Sequence, residues 1–271
     1  MTAASLESEV SLPLLAKLNA QLPDQVNETE VAAAWLKSFS KAVASGSVDA
    51  VVALFLEDAL WRDTLALTWT FRTIHGTSRI RKLLGARLAE TKLDNIRLAT
   101  HRDKQPSLFQ IPGLLAWVQG FFDFETAVGV CSGIFRVVPT ANGEWKAHVV
   151  YTNLDSLKGM PYNVGHLRSF ELDHGDWLGK RAKANAFEDT DPKVLIVGGG
   201  HSGLDAAVRL KYQGVSALVI ERNPRIGDNW RNRYQALCLH DPVCTSPEFF
   251  HHCISRLTVA AIWQGMIICR T

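Results

Sequence analysis

The amino-acid sequence predicts an α+β unit followed by an incomplete α/β unit. Three observations predict it. Apolar residues first recur at helical spacing and then, from about residue 93 to 153, alternate with polar ones. From Lys193 a short apolar run leads into glycines at G-x-G-x-x-G spacing, then a helical stripe, a second apolar run and an acid. The chain then ends too soon after Glu221 to supply the strands and crossovers of a complete doubly wound sheet.

In chain order, residues 1–28 are weakly patterned and read as an arm. Val31, Trp35, Phe39 and Val43 recur every fourth residue with Leu36 beside them, which predicts an amphipathic helix stopped by Gly46. A shorter helix follows, with Val48, Val51, Val52 and Phe55 turned inward. Ser78 is the expected cap of a third helix carrying Ile80, Leu83, Leu84 and Leu88 on one face. Residues 93–98, 114–124, 130–138 and 145–153 read as strands, the last two joined by an Asn142-Gly143 hairpin turn. Strict alternation puts Trp145, Ala147, Val149 and Tyr151 on one face of the last strand, with Lys146, His148 and Thr152 on the other. This α+β unit spans residues 29–158. Residues 159–191 are rich in charge and read as a linker with one short helix near 177–185.

The second unit, residues 192–243, carries the chemistry. Lys193 to Val197 reads as a buried parallel strand. Gly198 allows the tight turn, Gly200 lets a pyrophosphate approach the backbone, and Gly203 lets the helix pack closely on the strand. The helix starts near His201, so the first-turn N–H groups of His201 and Ser202 and the helix dipole favour an anion there. Leu204, Ala207 and Val208 form the stripe facing the sheet, and Gly214 ends the helix. Ser216 to Ile220 is the second strand. Glu221 follows where the fingerprint expects an acid that accepts from a ribose 2′-OH. An acid here disfavours a 2′-phosphate, so FAD or NAD is expected before NADP; the adjacent Arg222 weakens that preference.

Composition bounds the rest. Hydrophobic content of 47% and charged content of 21% are those of a globular protein, and a net charge of +2 gives no basic field for nucleic acid. No apolar run reaches membrane-spanning length, and residues 1–10 lack a basic-then-apolar leader, so a cytoplasmic setting is expected. The 5 cysteines, Cys131, Cys238, Cys244, Cys253 and Cys269, show no C-x-x-C pair, so neither a disulfide framework nor a metal site is expected. The clusters Asp173, His174, Asp176 and His251, His252, Cys253 read as solvated loop rather than metal ligands.

The stretches VLIVGGGHSGLDAAVRL, LVIERNPRIGDNWRNRY and LCLHDPV resemble the FAD-binding start of flavin-dependent monooxygenases, over about Pro192 to Val243. The resemblance implies that Gly198, Gly200, His201, Ser202 and Gly203 hold the FAD pyrophosphate, that Glu221 with Arg222 lies at the adenosine ribose, and that Asp228, Asn229 and Trp230 pass along the flavin side. It also implies NADPH- and O₂-dependent oxygenation of a small organic substrate in specialised metabolism, the flavin carrying the chemistry. A second glycine fingerprint for NADPH, expected from the family, is absent from these residues. Residues 244–271 depart from the family pattern and read as an aberrant tail, so a truncated chain with little NADPH turnover is expected.

The helices-then-meander order of the first unit, with the phrases ALFLEDALWRD, WTFRTIHG and VVYTNLDSLKG, resembles the nuclear transport factor two-like cone fold. That resemblance implies a curved sheet wrapping a helix to leave a pocket, and a homodimer through this unit. The cone fold hosts cyclases, isomerases, dehydratases and plain binding domains, so an isomerase or cyclase and a non-catalytic binding or dimerisation protein stand as alternative readings. Asp63, His75, His148 and Tyr151 are its candidate polar residues. Their plainer readings are an Arg62 ion pair for Asp63, an exposed sheet position for His148 and a core or rim position for Tyr151. The tryptophans at 35, 61, 69, 117 and 145 read as core.

Overall fold

The computed structural model describes residues 11–163, 174–187, 191–233, 235 and 268–269. The chain divides into two compact units, Met1–Gly159 and Met160–Thr271.

The first unit has the expected α+β cone architecture. A short helix, α1 (Leu15–Leu18), precedes the long helix α2 (Glu28–Ala44), and α3 (Val48–Val52) follows. Strands β1 (Phe55–Thr64) and β2 (Phe71–His75) come next, then α4 (Thr77–Thr91). The meander is β3 (Asp94–Leu98), β4 (Ser107–Ile111), β5 (Leu115–Glu125), β6 (Gly129–Pro139) and β7 (Trp145–Leu157). The sheet order is β2-β1-β7-β6-β5-β3, with β4 also paired to β5; β1 and β7 run parallel and the other pairs antiparallel.

Helix α2 forms because its ends and its face agree. The Asn27 side chain accepts from the Glu30 N–H, Glu28 and Glu30 sit in the first turn, and Gly46 takes a positive φ of 67° just past the end. Its buried face, Ala32, Trp35, Leu36, Phe39 and Val43, lies on the concave side of the sheet. Helix α4 is capped differently from the expectation. It begins at Thr77 after Gly76, with no side-chain cap hydrogen bond, so Ser78 lies inside the first turn rather than at its boundary.

The resemblance implied a pocket inside the cone, and aromatic rings fill that space. Trp35, Phe39, Trp61, Phe122 and Phe135 are all nearly or fully buried and pack ring against ring, with Trp35–Phe135 centroids 4.6 Å apart and Trp35–Phe39 5.3 Å apart. Two glycines make room for them. Gly120 pairs with Phe135 and Gly133 with Phe122 across the β5–β6 ladder, so each phenylalanine lies over the opposite strand's glycine. A Cβ added at either glycine would fall 2.3 Å from a phenylalanine ring atom. Among the tryptophans, Trp35 and Trp61 are core and Trp117 and Trp145 pack at its border. Trp69 is 64% exposed, against the expectation, because it stands on the β1–β2 turn outside the sheet.

Alternation in β7 also breaks. Arg136 pairs with Val149 but Val137 with Ala147, so His148 is an extra residue, a β-bulge. The bulge inverts the faces beyond it. Ala147, His148, Val150 and Thr152 are buried, whereas Val149 and Tyr151 turn to the outer side. The sequence pattern could not show this, since one inserted residue leaves the composition of the strand unchanged.

The arm is partly tied down. Leu15 is buried and donates its N–H to the Leu114 carbonyl, and Lys17 reaches Asp58 at 2.7 Å.

In the second unit, α5 (Trp177–Ala186) is the expected short helix. Strand β8 (Val194–Val197), helix α6 (His201–Tyr212) and strand β9 (Ala217–Ile220) form a βαβ unit with β8 and β9 parallel, in register from Val194↔Ala217 to Val197↔Ile220. A four-residue helix, α7 (Asp228–Arg231), follows. The tail supplies β10 (Ile268–Cys269), parallel to β9, giving the order β10-β9-β8. Strand β8 is not buried as its apolar run suggested. Leu195 and Val197 are 58% and 80% exposed, because α6 covers one face of this small sheet only. Among the described residues, no helix is long and apolar enough to cross a membrane.

Substitution of Gly120 or Gly133 by Ala is expected to overpack the core and cost about 1–3 kcal/mol. Gly85→Ala in the interior of α4, where an added Cβ meets nothing within 4 Å, is expected to stabilise by roughly 0.5–1 kcal/mol. Urea titrations followed by tryptophan fluorescence check both signs.

Candidate functional site

The βαβ unit builds a glycine cradle from its own backbone. The Gly198 N–H donates to the Ile220 carbonyl at 2.8 Å, which brings the end of β8 against the end of β9. Gly198 then turns the chain at φ 105°, a conformation that side chains disfavour. Gly200 is the N-cap of α6 and has no side chain to close the first turn. A helix start of this kind leaves N–H groups without intrahelical acceptors and gathers the positive end of the dipole, which suits a phosphate. Gly203 packs hard against the loop: an added Cβ would lie 2.0 Å from the Gly198 carbonyl oxygen. At Gly200 the nearest atom to an added Cβ is the Asn229 side-chain nitrogen at 3.7 Å, so the segment after β9 reaches the mouth of the cradle.

Glu221 ties the cradle together. Its carboxylate accepts from the Gly199 N–H at 2.6 Å, from the Asn223 N–H at 2.9 Å and from the Asn223 side-chain amide at 2.7 Å. The Asn223 and Gly199 backbone donors hold its pKa below the usual carboxylate range, so it is an anion at neutral pH. The Arg222 backbone N–H acts in the same direction. Gly199 was not singled out from the sequence, where the motif treats its position as open. An added Cβ there would crowd the Glu221 side chain at 3.2–3.5 Å. The signal was present as the unbroken triplet Gly198-Gly199-Gly200.

The G-D-N-W segment is held by its own charges. Asp228 is buried and accepts from the Arg225 N–H at 3.2 Å, the Arg225 Nε at 3.0 Å and an Arg231 guanidinium nitrogen at 2.8 Å. Burial works against its ionisation, and the Arg231 and Arg225 hydrogen bonds prevail and lower its pKa. The structure thus gives Asp228 the task of closing the turn. Asn229 stands beside the cradle, Trp230 is 40% exposed, and Arg222 points outward from the end of β9 and is exposed. Tyr162 packs edge-on against Tyr212, and its hydroxyl accepts from Arg209 at 3.3 Å, fastening the start of this unit to α6.

The polar residues of the cone do not assemble a second site. Asp63 is fully buried and makes no Arg62 ion pair. It accepts from the Leu67 N–H, the Thr68 N–H, the Thr68 hydroxyl and the Thr152 hydroxyl, at 2.8–3.2 Å. Thr152 in turn accepts from the Trp61 indole at 3.0 Å. These donors saturate the carboxylate, so it is a structural clamp. Tyr151 donates to Asn153 at 3.2 Å on the outer face. His75 ends the edge strand β2. His148 is buried, not exposed, because it occupies the bulge, and its Nδ1 has no hydrogen-bond partner among the described residues. Since Asp63 pairs with Thr152, four residues along β7 from His148, the two side chains lie roughly 13 Å apart along the strand. Cys131 is buried as well, and burial pushes its thiol pKa up to about 12. Among the described residues, no cluster of His, Cys, Asp and Glu is arranged to hold a metal. Asp173 and the His251, His252, Cys253 group lie outside the described residues, as do Cys238, Cys244 and Cys253 as candidate thiols.

Comparison with known proteins places the second unit among dinucleotide-binding proteins. The NAD(P)-binding Rossmann-like domain matches residues 196–250. An indole-3-pyruvate monooxygenase of Oryza sativa subsp. japonica, YUCCA1, is 48% identical over 52 residues, 19% of this chain and 13% of that one. The Baeyer–Villiger monooxygenase peniC of Penicillium patulum is 49% identical over 47 residues, 17% of this chain and 8% of that one. The chain therefore matches a small fraction of the length of these curated relatives. The segment is a partial dinucleotide-binding Rossmann unit related to those of flavin monooxygenases. Solved structures similar to the first unit include a ketosteroid isomerase-like protein from Erwinia carotovora atroseptica, at 14% identity and TM-score 0.36, covering 49% of this chain and 99% of that one. An ntf2-like protein with a cystatin-like fold from Novosphingobium aromaticivorans aligns at 16% identity and TM-score 0.33, covering 48% of this chain and 82% of that one. At these values the likeness carries no statement about activity.

The buried imidazole gives a pH test of the cone. Burial lowers the pKa of His148, opposed by the charge of Asp58 and aided by Lys17, Arg136 and His75. The unfolded chain then binds a proton that the folded one refuses. Stability is full above the unfolded value of about 6.5 and falls with pH below it, down through the lowered folded value. Urea midpoints measured at about pH 7.5 and about pH 5.5 are expected to drop on acidification, and His148→Gln is expected to flatten that part of the drop.

Proposed function

We propose that the second unit binds FAD and that the chain belongs, in kind, with the flavin-dependent monooxygenases that use NADPH and O₂ on a small organic substrate. The observation that carries this reading is the Glu221 carboxylate, pinned under the glycine loop by Gly199 and Asn223 and still partly exposed at the end of β9, where a ribose hydroxyl can reach it. The cradle fits a pyrophosphate: the positive φ of Gly198 and the close approach of Gly203 to the Gly198 carbonyl disfavour a side chain at either, and Gly200 leaves the first turn of α6 uncovered. Asn229 beside Gly200 supports FAD over NAD, since it brings the G-D-N-W segment to the cofactor's path, as the resemblance implies. Arg222 stands at the ribose end. Bound FAD would supply hydride acceptance and oxygen activation. This chain's residues would bind its pyrophosphate through the loop and the first turn of α6, including His201 and Ser202, and orient its adenosine through Glu221.

The isomerase or cyclase alternative loses support from the filled cone and the saturated Asp63. For the first unit we propose homodimerisation. Its outer face aligns Phe121, Ile134 and Tyr151 across β5, β6 and β7, all half-buried. Sedimentation velocity is expected to show a dimer that Ile134→Lys converts to monomer, and a monomeric wild-type chain overturns this.

The cofactor reading is tested by passing the purified chain, mixed with FAD, over a desalting column and recording its flavin absorbance. Retained flavin is expected. Glu221→Gln should weaken FAD binding about 10- to 100-fold, as loss of a charged hydrogen bond does, and Gly203→Ala should abolish it. Retention of NAD⁺ in place of FAD, or of neither, overturns the reading.

A further inference from the structure

One part of the first unit has a charge and shape that its core does not explain. Among the described residues, strand β2 is an end strand of the sheet, paired with β1 on one side only. An edge strand presents unpaired N–H and C=O groups along its free side. Beside that edge runs α4, and between them lies an open groove of about 440 Å³. Trp69, Arg72, Arg79, Lys82 and Arg87 line it over an apolar floor that includes Ile74 and Leu83, and no carboxylate lines it.

The cations are placed at a cost to the helix. Arg79, Arg81 and Lys82 crowd the first turns of α4, which has no acid in its first turn and no side-chain cap. Positive side chains at a helix N-terminus oppose its dipole. Arg81 is neutralised by Asp49 and Arg87 by Glu90. Among the described residues, Arg72, Arg79 and Lys82 have no carboxylate partner; the Arg72 guanidinium donates only to the Thr70 hydroxyl. Charged residues on an edge strand also serve to repel other strands. That use does not account for Trp69 and Phe71, which stand at the same edge 64% and 65% exposed and would invite association.

We propose that the groove between β2 and α4 is a docking site for an extended acidic segment of a partner protein, which adds to the free edge of β2. Main-chain groups of the segment pair with β2, its carboxylates face Arg72, Arg79 and Lys82, and its apolar side chains cover Trp69 and Phe71. A peptide answers both the donors and the acceptors of a strand edge, whereas a DNA backbone offers no donors for the carbonyls and an RNA backbone offers only its 2′-hydroxyls. The open shape of the groove suits an extended chain better than a small ligand, which needs most of its surface enclosed. This site is independent of what the second unit binds.

The test uses the full chain and a fluorescein-labelled synthetic peptide of alternating Asp and Val, followed by anisotropy. The peptide is expected to bind, to release as salt rises from about 50 to about 500 mM, and to lose at least about tenfold in affinity on Arg79→Glu with Lys82→Glu. Far-UV circular dichroism checks that the doubly substituted chain folds. In the wild-type chain, amide hydrogen exchange at Phe71–His75 is expected to slow on peptide addition. Absence of binding, equal binding of a Lys–Val peptide, charge-dependent binding of oligodeoxythymidylate at the same residues, or exchange protection confined to other strands overturns the proposal.

Discussion

The first unit depends on a single buried carboxylate. Asp63 lies fully buried near the end of β1, a placement that costs several kcal/mol unless its oxygens are satisfied. Two backbone N–H groups and two threonine hydroxyls satisfy them. The backbone pair comes from Leu67 and Thr68, so the chain between β1 and β2 must fold back over the strand end to supply it. The hydroxyl of Thr152 comes from β7, so the same carboxylate also locks the one parallel pairing of the sheet. Trp61 joins through Thr152, which ties the clamp to the aromatic core. The exposure of Trp69 and the start of β2 follow from this turn, since its fixed inner half leaves its outer half no place but the surface.

The second unit uses the same chemistry to a different end. Glu221 also accepts backbone N–H groups, and it also fixes a loop, the one that runs from Gly198 to Gly200. It differs in being partly exposed. A saturated, buried carboxylate can only hold its surroundings in place. An anchored carboxylate that stays partly exposed holds its surroundings and remains within reach of solvent. The two units are thus both built around an acid, buried in the cone and partly exposed in the βαβ unit.

What the sequence disclosed divides along the same line. Helix α2, the long strands of the meander and the βαβ unit were legible because each has a period, a cap or a glycine whose backbone role is local. Gly198, Gly200, Gly203 and Glu221 stand where the fingerprint put them. The misreadings came from effects with no local signature. The bulge at His148 reverses the faces of β7 without altering its pattern, so Tyr151 turned outward and His148 inward. The sequence pattern does not show β1, β2 and β4 as strands, because β1 carries Glu57, Asp58, Arg62 and Asp63 and β2 is exposed from Phe71 to Thr73; neither shows the clean alternation of a strand with one wet face. Gly199 looked like a free position because its requirement, a donor for Glu221, comes from a residue beyond the helix. Asp63 looked like half of an ion pair because its true partners are main-chain groups, which carry no sequence signal at all.

The filled cone has a consequence for how the first unit can act. A curved sheet around a helix encloses either a pocket or a core, and the reciprocal glycine–phenylalanine pairs on β5 and β6 choose the core. Each glycine removes a Cβ so that a ring from the neighbouring strand can reach the axis of the cone, where it meets Trp35 and Phe39 from α2. Space that could have admitted a substrate is spent on ring contacts that fix α2 against the sheet. Trp69 and Phe71, by contrast, stand exposed at the β2 edge of the sheet. The ring contacts of the interior thus hold α2 rigidly against the sheet.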